Sequence, residues 1–309
     1  MLRKILVTAI SGDIGNGILK ILGSTEDELY GCDVNRIAVG MDLVKVFWQS
    51  SYAVSEQYIG ELAAKCSEYG ITHLIPVNER EIEVIDRNRK PFEERGIRLV
   101  MQSSRVLGIC LDKYLTAEEL RRNGLPAPAT FIRRADLPDS EAVYIVKPRR
   151  SNGSKHIMKK KGSELTDEFD GAYVYQAYID SDDEYTLGVF RDGDVLNTIA
   201  FRRQLKNGYS NLVELVHDEE LDRIAAACAK LFDLRGYINI QLRKKDGRYF
   251  IFEINPRISG TVRFRSMLGF NDVLWWLDLL DGRHTEPYHC AYHTAVGIRE
   301  LNEKMLIKE

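Results

Sequence analysis

Two segments of the 309-residue chain combine residue types suited to binding a polyphosphate and a divalent cation. The first, VYIVKPRRSNGSKH at residues 143–156, places Lys147 at the end of a predicted strand that opens into a Ser-Asn-Gly-Ser loop. A lysine ammonium is a compact charge that suits phosphate oxygens, and glycine lets backbone N–H groups approach them closely. The pattern predicts a phosphate-binding loop, although an ordinary surface hairpin has a similar composition.

The second segment, YINIQLRKKDGRYFIFEINPRISG at residues 237–260, is more specific. Glu253 and Asn255 are two positions apart, so on a strand their oxygens share one face, where they can bind Mg²⁺ ions that bridge ATP phosphates. Gln241 can converge on them from the preceding strand, and Arg257 can bind a phosphoryl group or a carboxylate through two nitrogens. The alternative is a set of polar residues at the rim of a buried strand, which would be costly to bury without partners.

The elements that must position these residues begin with a βαβ pattern. Short apolar runs alternate with helical patterns over the first hundred residues, which is typical of a parallel sheet. The predicted strands are Lys4–Ala9, Leu29–Asp33, His73–Pro76 and Arg98–Met101, and the predicted helices are Gly15–Leu22, Gln57–Tyr69 and Glu79–Arg95. The pattern predicts a Rossmann-like N-terminal domain over residues 1–105.

From residue 106 the pattern changes to paired strands. A helix predicted at Lys113–Asn123 ends at Gly124, a residue suited to a left-handed cap. The predicted strands are Val143–Lys147, Tyr173–Tyr178, Tyr185–Phe190, Val195–Phe201, Tyr237–Arg243 and Arg248–Ile254. Asp-Gly pairs connect the last two hairpins, and an amphipathic helix is predicted at Asp218–Phe232. An α+β region with antiparallel strands follows from this pattern.

The loop after the first predicted strand contains glycines at 12, 15 and 17, with Asp33 about twenty residues after the loop begins, as in a dinucleotide site. The full G-x-G-x-x-G spacing is missing, so NAD binding and a dehydrogenase activity are the least favoured alternatives.

The runs KP…SNGSK, QAYI…DEYT and NIQL…FEINPR together resemble the ATP-grasp superfamily, and within it the branch related to the large chain of carbamoyl-phosphate synthetase. The resemblance extends over nearly the whole chain. It implies a Rossmann-like pre-ATP-grasp domain at 1–105 and a two-subdomain ATP-grasp domain at 106–309. The N-terminal subdomain with a lid loop would cover about residues 113–175, and the C-terminal subdomain with the metal site about 176–309.

The resemblance implies a role for each matching residue. Contacts to ATP are implied for Lys113, Lys147, Ser151, Gly153 and Ser154 at the phosphates, for backbone groups of Ala177 and Ile179 at adenine, and for Glu184 at the ribose. Metal ligation is implied for Gln241, Glu253 and Asn255, and proximity to the reactive phosphate for Arg257. Many members have a carboxylate at the position of Gln241. The amide of Gln241 differs from it, since it supplies only a neutral oxygen to a hard cation.

Substrate contacts are the most open part of the site. The candidates are Glu79, Arg202, Arg203 and Ser259. For Glu79 the acid-rich first turn of a helix is an equally good explanation, and for the two arginines a solvated turn is an equal alternative.

The implied activity is that of an ATP- and Mg²⁺-dependent ligase, with Mn²⁺ as a substitute cation. It activates a small carboxylate as an acyl-phosphate, which an amine then attacks. Two alternatives stay open at this stage: a small-molecule kinase of the same fold, and a non-catalytic nucleotide-binding protein.

Composition limits the remaining partners. A net charge of −3, from 43 basic and 46 acidic residues, gives no field that would attract nucleic acid. No apolar stretch approaches the ~18 residues of a membrane span, and no apolar leader precedes the first strand. Five scattered cysteines without a CxxC motif indicate reduced thiols. We therefore expect a cytoplasmic protein that acts on small molecules, with homodimerisation left open.

Overall fold

The computed structural model describes residues 2–150, 156–181, 183–300 and 305. The N-terminal unit contains a parallel sheet in the order β3-β2-β1-β4-β5. Its strands are β1 (Lys4–Val7), β2 (Glu28–Asp33), β3 (Val46–Gln49), β4 (His73–Ile75) and β5 (Arg98–Leu99), and its helices are α1 (Asp13–Leu22), α2 (Tyr58–Tyr69), α3 (Glu79–Arg87) and α4 (Lys90–Glu93). The predicted Rossmann-like arrangement is confirmed.

Two features of this unit differ from the sequence prediction. Strand β3 was not predicted, because it is a short run of 4 residues. The single helix predicted at Glu79–Arg95 is two helices, because Asn88 leaves the helical conformation at φ −131°. Pro91 then lies in the first turn of α4, where a missing N–H is tolerated.

The strand order reverses between β1 and β4, which lie side by side. In open parallel sheets, ligands bind beyond the carboxyl ends of the strands at such a point. Asp13 follows β1 and Glu79 follows β4, so both residues lie at this edge.

The middle of the chain forms a smaller antiparallel sheet in the order β6-β9-β7-β8. Its strands are β6 (Thr130–Phe131), β7 (Val143–Pro148), β8 (Met158–Lys161) and β9 (Tyr173–Ala177). The helices α5 (Ser104–Cys110) and α6 (Lys113–Arg122) connect it to the N-terminal unit.

A larger antiparallel sheet has the order β14-β13-β10-β11-β12-β15. Its strands are β10 (Glu184–Asp192), β11 (Val195–Lys206), β12 (Tyr209–Val216), β13 (Gly236–Lys245), β14 (Arg248–Asn255) and β15 (Val296–Ile298), and the accompanying helices are α7 (Glu219–Leu231), α8 (Val262–Met267) and α9 (Asp272–Leu280). The turn between β13 and β14 has positive φ at Asp246 and Gly247, 50° and 77°, as a tight hairpin requires. The predicted α+β region is confirmed.

One apolar core joins the N-terminal unit to the larger sheet. It includes Val7 of β1, Phe190 of β10 and Trp276 of α9. A Cβ atom on Gly17 of α1 would lie 2.8 Å from Val262 Cγ1 of α8, so the two helices pack closely. This packing fixes the edge at β1 and β4 relative to strand β14. In the part of the chain that the structure describes, no helix is both long and apolar enough to cross a bilayer.

Candidate active site

A cavity of about 200 Å³ lies where the two antiparallel sheets meet the carboxyl edge of the N-terminal sheet. Half of the site residues predicted from sequence line it, namely Lys113, Lys147, Arg203, Gln241, Glu253, Asn255, Arg257 and Ser259. The wall also contains Asp13, Ile14, Tyr209, Ser210 and Gly260.

Lys147 of β7 is held by the backbone of the neighbouring sheet. The pairing of β13 with β14 shifts after Gln241, which leaves Phe252 as an extra, bulged residue on β14. Lys147 Nζ donates to the Phe252 carbonyl oxygen at 3.2 Å and to Gln176 Oε1 at 3.0 Å. Bulges redirect strand groups near active sites, and this bulge fixes the lysine ammonium.

Lys147 is only 3% exposed. Burial disfavours its charged form and lowers its pKa from 10.5 to about 8, although nearby Glu253 opposes the change. A bound polyanion favours the ammonium form, so this position is suited to phosphate.

The predicted metal-ligating residues lie together on paired strands. Gln241 is directly opposite Glu253 in the β13–β14 ladder. When the Asn255 amide is oriented to satisfy its neighbours, its nitrogen lies 3.3 Å from Glu253 Oε1 and 3.1 Å from Glu79 Oε1, and its oxygen accepts from Gln241 Nε2 at 2.9 Å. One amide thus links the two carboxylates.

Glu253 is an ionised carboxylate in a cationic environment. Burial by itself raises its pKa, but the charges of Lys113, Lys147 and Arg257 outweigh burial and hold the pKa below its usual value. The carboxylate is therefore ready to bind a cation without first losing a proton.

These donors fit a hard divalent cation. Glu253 offers carboxylate oxygens, and the neighbouring Gln241 and Asn255 carry amide oxygens, which are also ligands for such a cation. Within residues 2–150, 156–181 and 183–300, no group of three or more His, Cys, Asp or Glu side chains is placed to hold a metal. A cation at Glu253 would thus depend on the two amides.

Arg257 follows β14 after Pro256 ends the strand. Its Nε and Nη2 donate to Glu79 Oε1 at 3.1 and 2.7 Å, and Nη1 donates to the Ile258 carbonyl at 3.0 Å. Burial raises the pKa of Glu79, while Arg257 opposes the increase and Glu253 adds to it. Glu79 therefore contributes a second carboxylate from the N-terminal unit, although it does not itself line the cavity.

The first turn of α3 combines both explanations of its acidic residues. Asn78 and Glu81 form a capping box, so they stabilise the helix end. Glu79, between them, instead accepts hydrogen bonds from Arg257, which lines the cavity.

Lys113 is positioned by the cap of α6. The buried carboxylate of Asp112 accepts from the Tyr114 and Leu115 backbone N–H groups at 3.1 and 3.2 Å, and from Arg149 Nε at 2.8 Å through both oxygens. This fixes the first turn of α6 beside the end of β7, where Lys113 enters the cavity.

The side chains of Arg202 and Arg203 lie on opposite faces of the sheet. Strand β11 continues to Lys206, and neighbouring side chains on a strand alternate between its two faces. Arg203 lines the cavity and donates to Glu184 Oε1 at 2.6 Å. Arg202 is exposed and pairs with Glu214 and Asp183 at 2.5 and 3.3 Å. The structure thus does not bring Arg202 to the candidate site.

The residues predicted to contact the nucleotide do not all lie at the cavity. Glu184 is adjacent to the cavity but its oxygens already accept from Arg203 and, at 3.3 Å, from Arg243. The Ala177 N–H donates to the Ala129 carbonyl at 2.8 Å, which leaves its carbonyl oxygen for an adenine contact. Ile179 follows β9 and, like Ala177, is not among the described residues of the cavity wall. Ser151, Gly153 and Ser154 lie outside the described residues.

Sequence reasoning missed two contributors. Gln176 is a polar residue within a buried strand, and that anomaly was its available signal. Asp13 appeared only as part of an incomplete dinucleotide motif, in which Asp33 was the expected ribose acceptor. Asp33 instead closes the loop by accepting the Ser11 N–H at 2.9 Å.

The comparisons with known proteins agree with this fold. Residues 110–261 match the family model described as an ATP-grasp domain. This match agrees with the ATP-grasp resemblance that the motifs indicate, and it covers about half of the chain. A 46-residue stretch is 44% identical to the carbamoyl phosphate synthase large chain of Mesorhizobium japonicum, and it covers 15% of this chain and 4% of that relative. The match therefore spans only a small part of the relative's length.

Solved structures extend the similarity to almost the whole fold. N5-carboxyaminoimidazole synthetase from Staphylococcus aureus, complexed with ADP, matches with a TM-score of 0.73 and 12% identity, over 92% of this chain and 79% of that chain. L-amino acid ligase from Bacillus licheniformis matches with a TM-score of 0.70 and 14% identity, over 90% and 74% of the two chains. At these identities the similarity concerns the fold alone.

Proposed function

We propose that this protein is an ATP- and Mg²⁺-dependent ligase that activates a small carboxylate as an acyl-phosphate and joins it to an amine. The observation that carries the proposal is the convergence of Lys147, Glu253 and Arg257 on one cavity. These three groups supply what phosphoryl transfer to a carboxylate requires, namely a phosphate-binding cation, a metal ligand and a bidentate anion-binding group.

Most of the predicted site residues have a role in this proposal. Lys147 and Lys113 bind the ATP phosphates, with Ser151, Gly153 and Ser154 as further phosphate contacts. The carbonyl of Ala177, the backbone of Ile179 and the carboxylate of Glu184 bind the nucleoside. Arg257 orients the reacting carboxylate or the transferring phosphoryl group, and Arg203 and Ser259 contact the substrate.

Glu253, Asn255 and Gln241 would hold Mg²⁺, or Mn²⁺ in its place. When bound, the cation neutralises phosphate charge during transfer. Glu253 is held ionised by the surrounding cations, so this binding does not require proton release from it.

The chemistry needs no side-chain nucleophile. A carboxylate oxygen attacks the γ-phosphorus of ATP, the bond to the β-phosphate oxygen breaks, and ADP leaves. The amine then attacks the acyl carbon, phosphate leaves, and the nitrogen loses a proton. Alignment and charge stabilisation are the main contributions of the protein.

The support from related proteins concerns class rather than substrate. Proteins of the same fold include one described as an L-amino acid ligase and one described as a synthetase in complex with ADP.

We also propose a domain boundary near residue 105, a reduced cytoplasmic setting consistent with five unpaired cysteines, and small-molecule rather than macromolecular substrates, with homodimerisation left open.

The test is a screen for ADP and phosphate release with ATP, Mg²⁺, small carboxylates and amines. We expect turnover that requires both a carboxylate and an amine. Glu253→Gln and Lys147→Ala should each reduce it by about 100-fold or more, as expected for groups that stabilise transferring charge. Lys90→Ala and Glu219→Gln, which change exposed residues outside the site, are the controls.

Two results would contradict the proposal. Turnover that is unchanged in both site variants would disprove the assigned site. Stable phosphorylation of an acceptor without any need for an amine would indicate the kinase alternative.

A further inference from the structure

One carboxylate of the cavity wall has no part in the proposed metal and phosphate groups. Asp13 is the first residue of α1, at the carboxyl edge of the N-terminal sheet, and its side chain is 19% exposed. Among the described residues of the wall, Glu253 is the other carboxylate, and it belongs to the proposed metal ligands. Asp13 is therefore a negative group in a cavity whose other charged side chains are mainly cationic.

The Asp13 side chain reaches the loop that follows the metal-binding strand. A Cβ atom on Gly260 would lie 2.5 Å from Asp13 Oδ2. Any side chain at position 260 would displace the carboxylate, so glycine keeps it against this loop. Asp13 is thus placed close to the loop that also contains Arg257 and Ser259.

The neighbouring cation Arg299 pairs with Asp13 without a hydrogen bond. Arg299 Nη2 forms an ion pair with Asp13 Oδ2 at 3.6 Å, which is too far for a hydrogen bond. The arginine instead donates to the Ser210 carbonyl from Nε at 2.9 Å and to the Gly260 carbonyl from Nη2 at 2.7 Å. Arg299 is therefore fixed by backbone oxygens, and the Asp13 oxygens retain acceptor capacity toward the cavity.

The distribution of charge separates the cavity into two sides. Lys113, Lys147, Arg203 and Arg257 come from the ATP-grasp domain and suit anions. Asp13 comes from the edge where the Rossmann-like strand order reverses, a usual place for ligands in such sheets. The side that contains Asp13 therefore suits a cation.

We propose that Asp13 binds the ammonium group of the acceptor, which is accordingly a small primary amine that is protonated in solution, with amino acids as the first candidates. This inference rests on the proposed ligase function, because only that reaction requires an amine. Asp13 would hold the acceptor on the Rossmann-like side while Arg257 holds the carboxylate side of the reaction. One ammonium proton passes to solvent, and the free amine attacks the acyl carbon. The acyl carbon–oxygen bond to phosphate then breaks, and the departing phosphate takes the second proton from the nitrogen.

The test compares two nucleophiles in wild-type protein and Asp13→Asn. Hydroxylamine is largely uncharged near neutral pH and captures an acyl-phosphate as a hydroxamate, whereas amino acids arrive as ammonium ions. With ATP, Mg²⁺ and the same small carboxylates, we compare kcat/KM for hydroxylamine with kcat/KM for a mixture of the proteinogenic amino acids. Asp13→Asn should lower the ratio of amino acid to hydroxylamine reactivity by about 10- to 100-fold, through a higher KM for amino acids, as expected for loss of a charge-assisted hydrogen bond.

Glu219→Gln removes an exposed carboxylate from the first turn of another helix, α7, and should leave that ratio unchanged. An unchanged ratio in Asp13→Asn would overturn the inference, including the case in which both nucleophiles lose reactivity equally. The proposed ligase function would still stand. Failure of the wild-type protein to form any hydroxamate would instead overturn the proposed function.

Discussion

Glu79 and Arg257 connect the two parts of the site through one carboxylate oxygen, which accepts from Nε at 3.1 Å and from Nη2 at 2.7 Å of the guanidinium. Glu79 begins α3 of the Rossmann-like unit, and Arg257 follows the proposed metal-binding strand. The pair is largely buried, with side-chain exposures of 13% and 15%. An anion that binds Arg257 must therefore share the guanidinium with Glu79 or displace it.

Glu79→Ala should destabilise the protein, because it leaves the Arg257 guanidinium largely buried without its carboxylate. We expect the free energy of unfolding to fall by about 1–3 kcal/mol, measured by urea denaturation. Glu94→Ala breaks the exposed Lys90 pair and should change stability by less than about 0.5 kcal/mol. Equal effects of the two substitutions would show that the Glu79 contact is only a surface pair.

Lys147→Met should separate ligand binding from stability. Loss of the ammonium removes a phosphate contact, so ADP affinity should fall by about 10- to 100-fold in a direct binding assay. The free energy of unfolding should change by no more than about 1 kcal/mol, because the hydrogen bonds lost at Gln176 and Phe252 offset the removal of a desolvated charge. Unchanged ADP affinity would exclude Lys147 from the phosphate site.

The depressed pKa of Lys147 predicts a specific pH dependence. ADP affinity should decrease as pH rises through about 8, because the folded lysine then loses its charge. The contribution of Lys147 to the free energy of unfolding changes in the opposite direction. Between pH values of about 8 and 10.5 the unfolded chain binds the lysine proton and the folded chain does not. This contribution therefore increases as pH rises through that range. ADP titrations of wild type and Lys147→Met across this range check the prediction. Parallel curves for the two proteins would contradict it.

We expect substitutions in the ion pair of Arg265 and Asp272, which lies outside the cavity wall, to cause a large loss of stability. Both side chains are fully buried, and Arg265 Nη2 lies 2.7 Å from Asp272 Oδ2. The same guanidinium donates at 2.7 Å to the hydroxyls of Ser259 and Thr261, so it also fixes the loop beside the site. Arg265→Met should therefore reduce the free energy of unfolding by about 3–5 kcal/mol, since it leaves a buried carboxylate unpaired.

A double-mutant cycle with Asp272→Asn supplies the control for this pair. The double variant should lose clearly less stability than the sum of the two single variants, because neither leaves an unpaired charge in the other's presence. Strict additivity in urea denaturation would contradict the coupling.

Local patterns were sufficient to predict how the residues on the proposed metal-binding strand are arranged. The two-residue spacing of Glu253 and Asn255 fixes a common face, and the Asp-Gly turn fixes which strand pairs with theirs. Gln241 is therefore opposite Glu253, as expected. The bulge at Phe252 could not be predicted, because an extra residue in a strand pair depends on both strands and their neighbours.

Contacts between the two units could not be predicted from the sequence, for a different reason. The pairing of Glu79 with Arg257, and the approach of Asp13 to Gly260, depend on how the core around α1 and α8 joins the units. The opposite orientations of Arg202 and Arg203 likewise depend on β11 continuing past Phe201, where the predicted strand ended. Alternation could have separated the two arginines if the strand end had been placed correctly.

Isotope transfer tests the central claim most directly. The carboxylate that supports turnover in the screen is labelled with ¹⁸O in both oxygens, and the phosphate released with ATP, Mg²⁺ and amine is analysed by mass spectrometry. An acyl-phosphate intermediate predicts one ¹⁸O atom in each phosphate released, and no such product from Glu253→Gln. Turnover that releases only unlabelled phosphate would contradict the account, because the carboxylate oxygen would then never have been bonded to phosphorus.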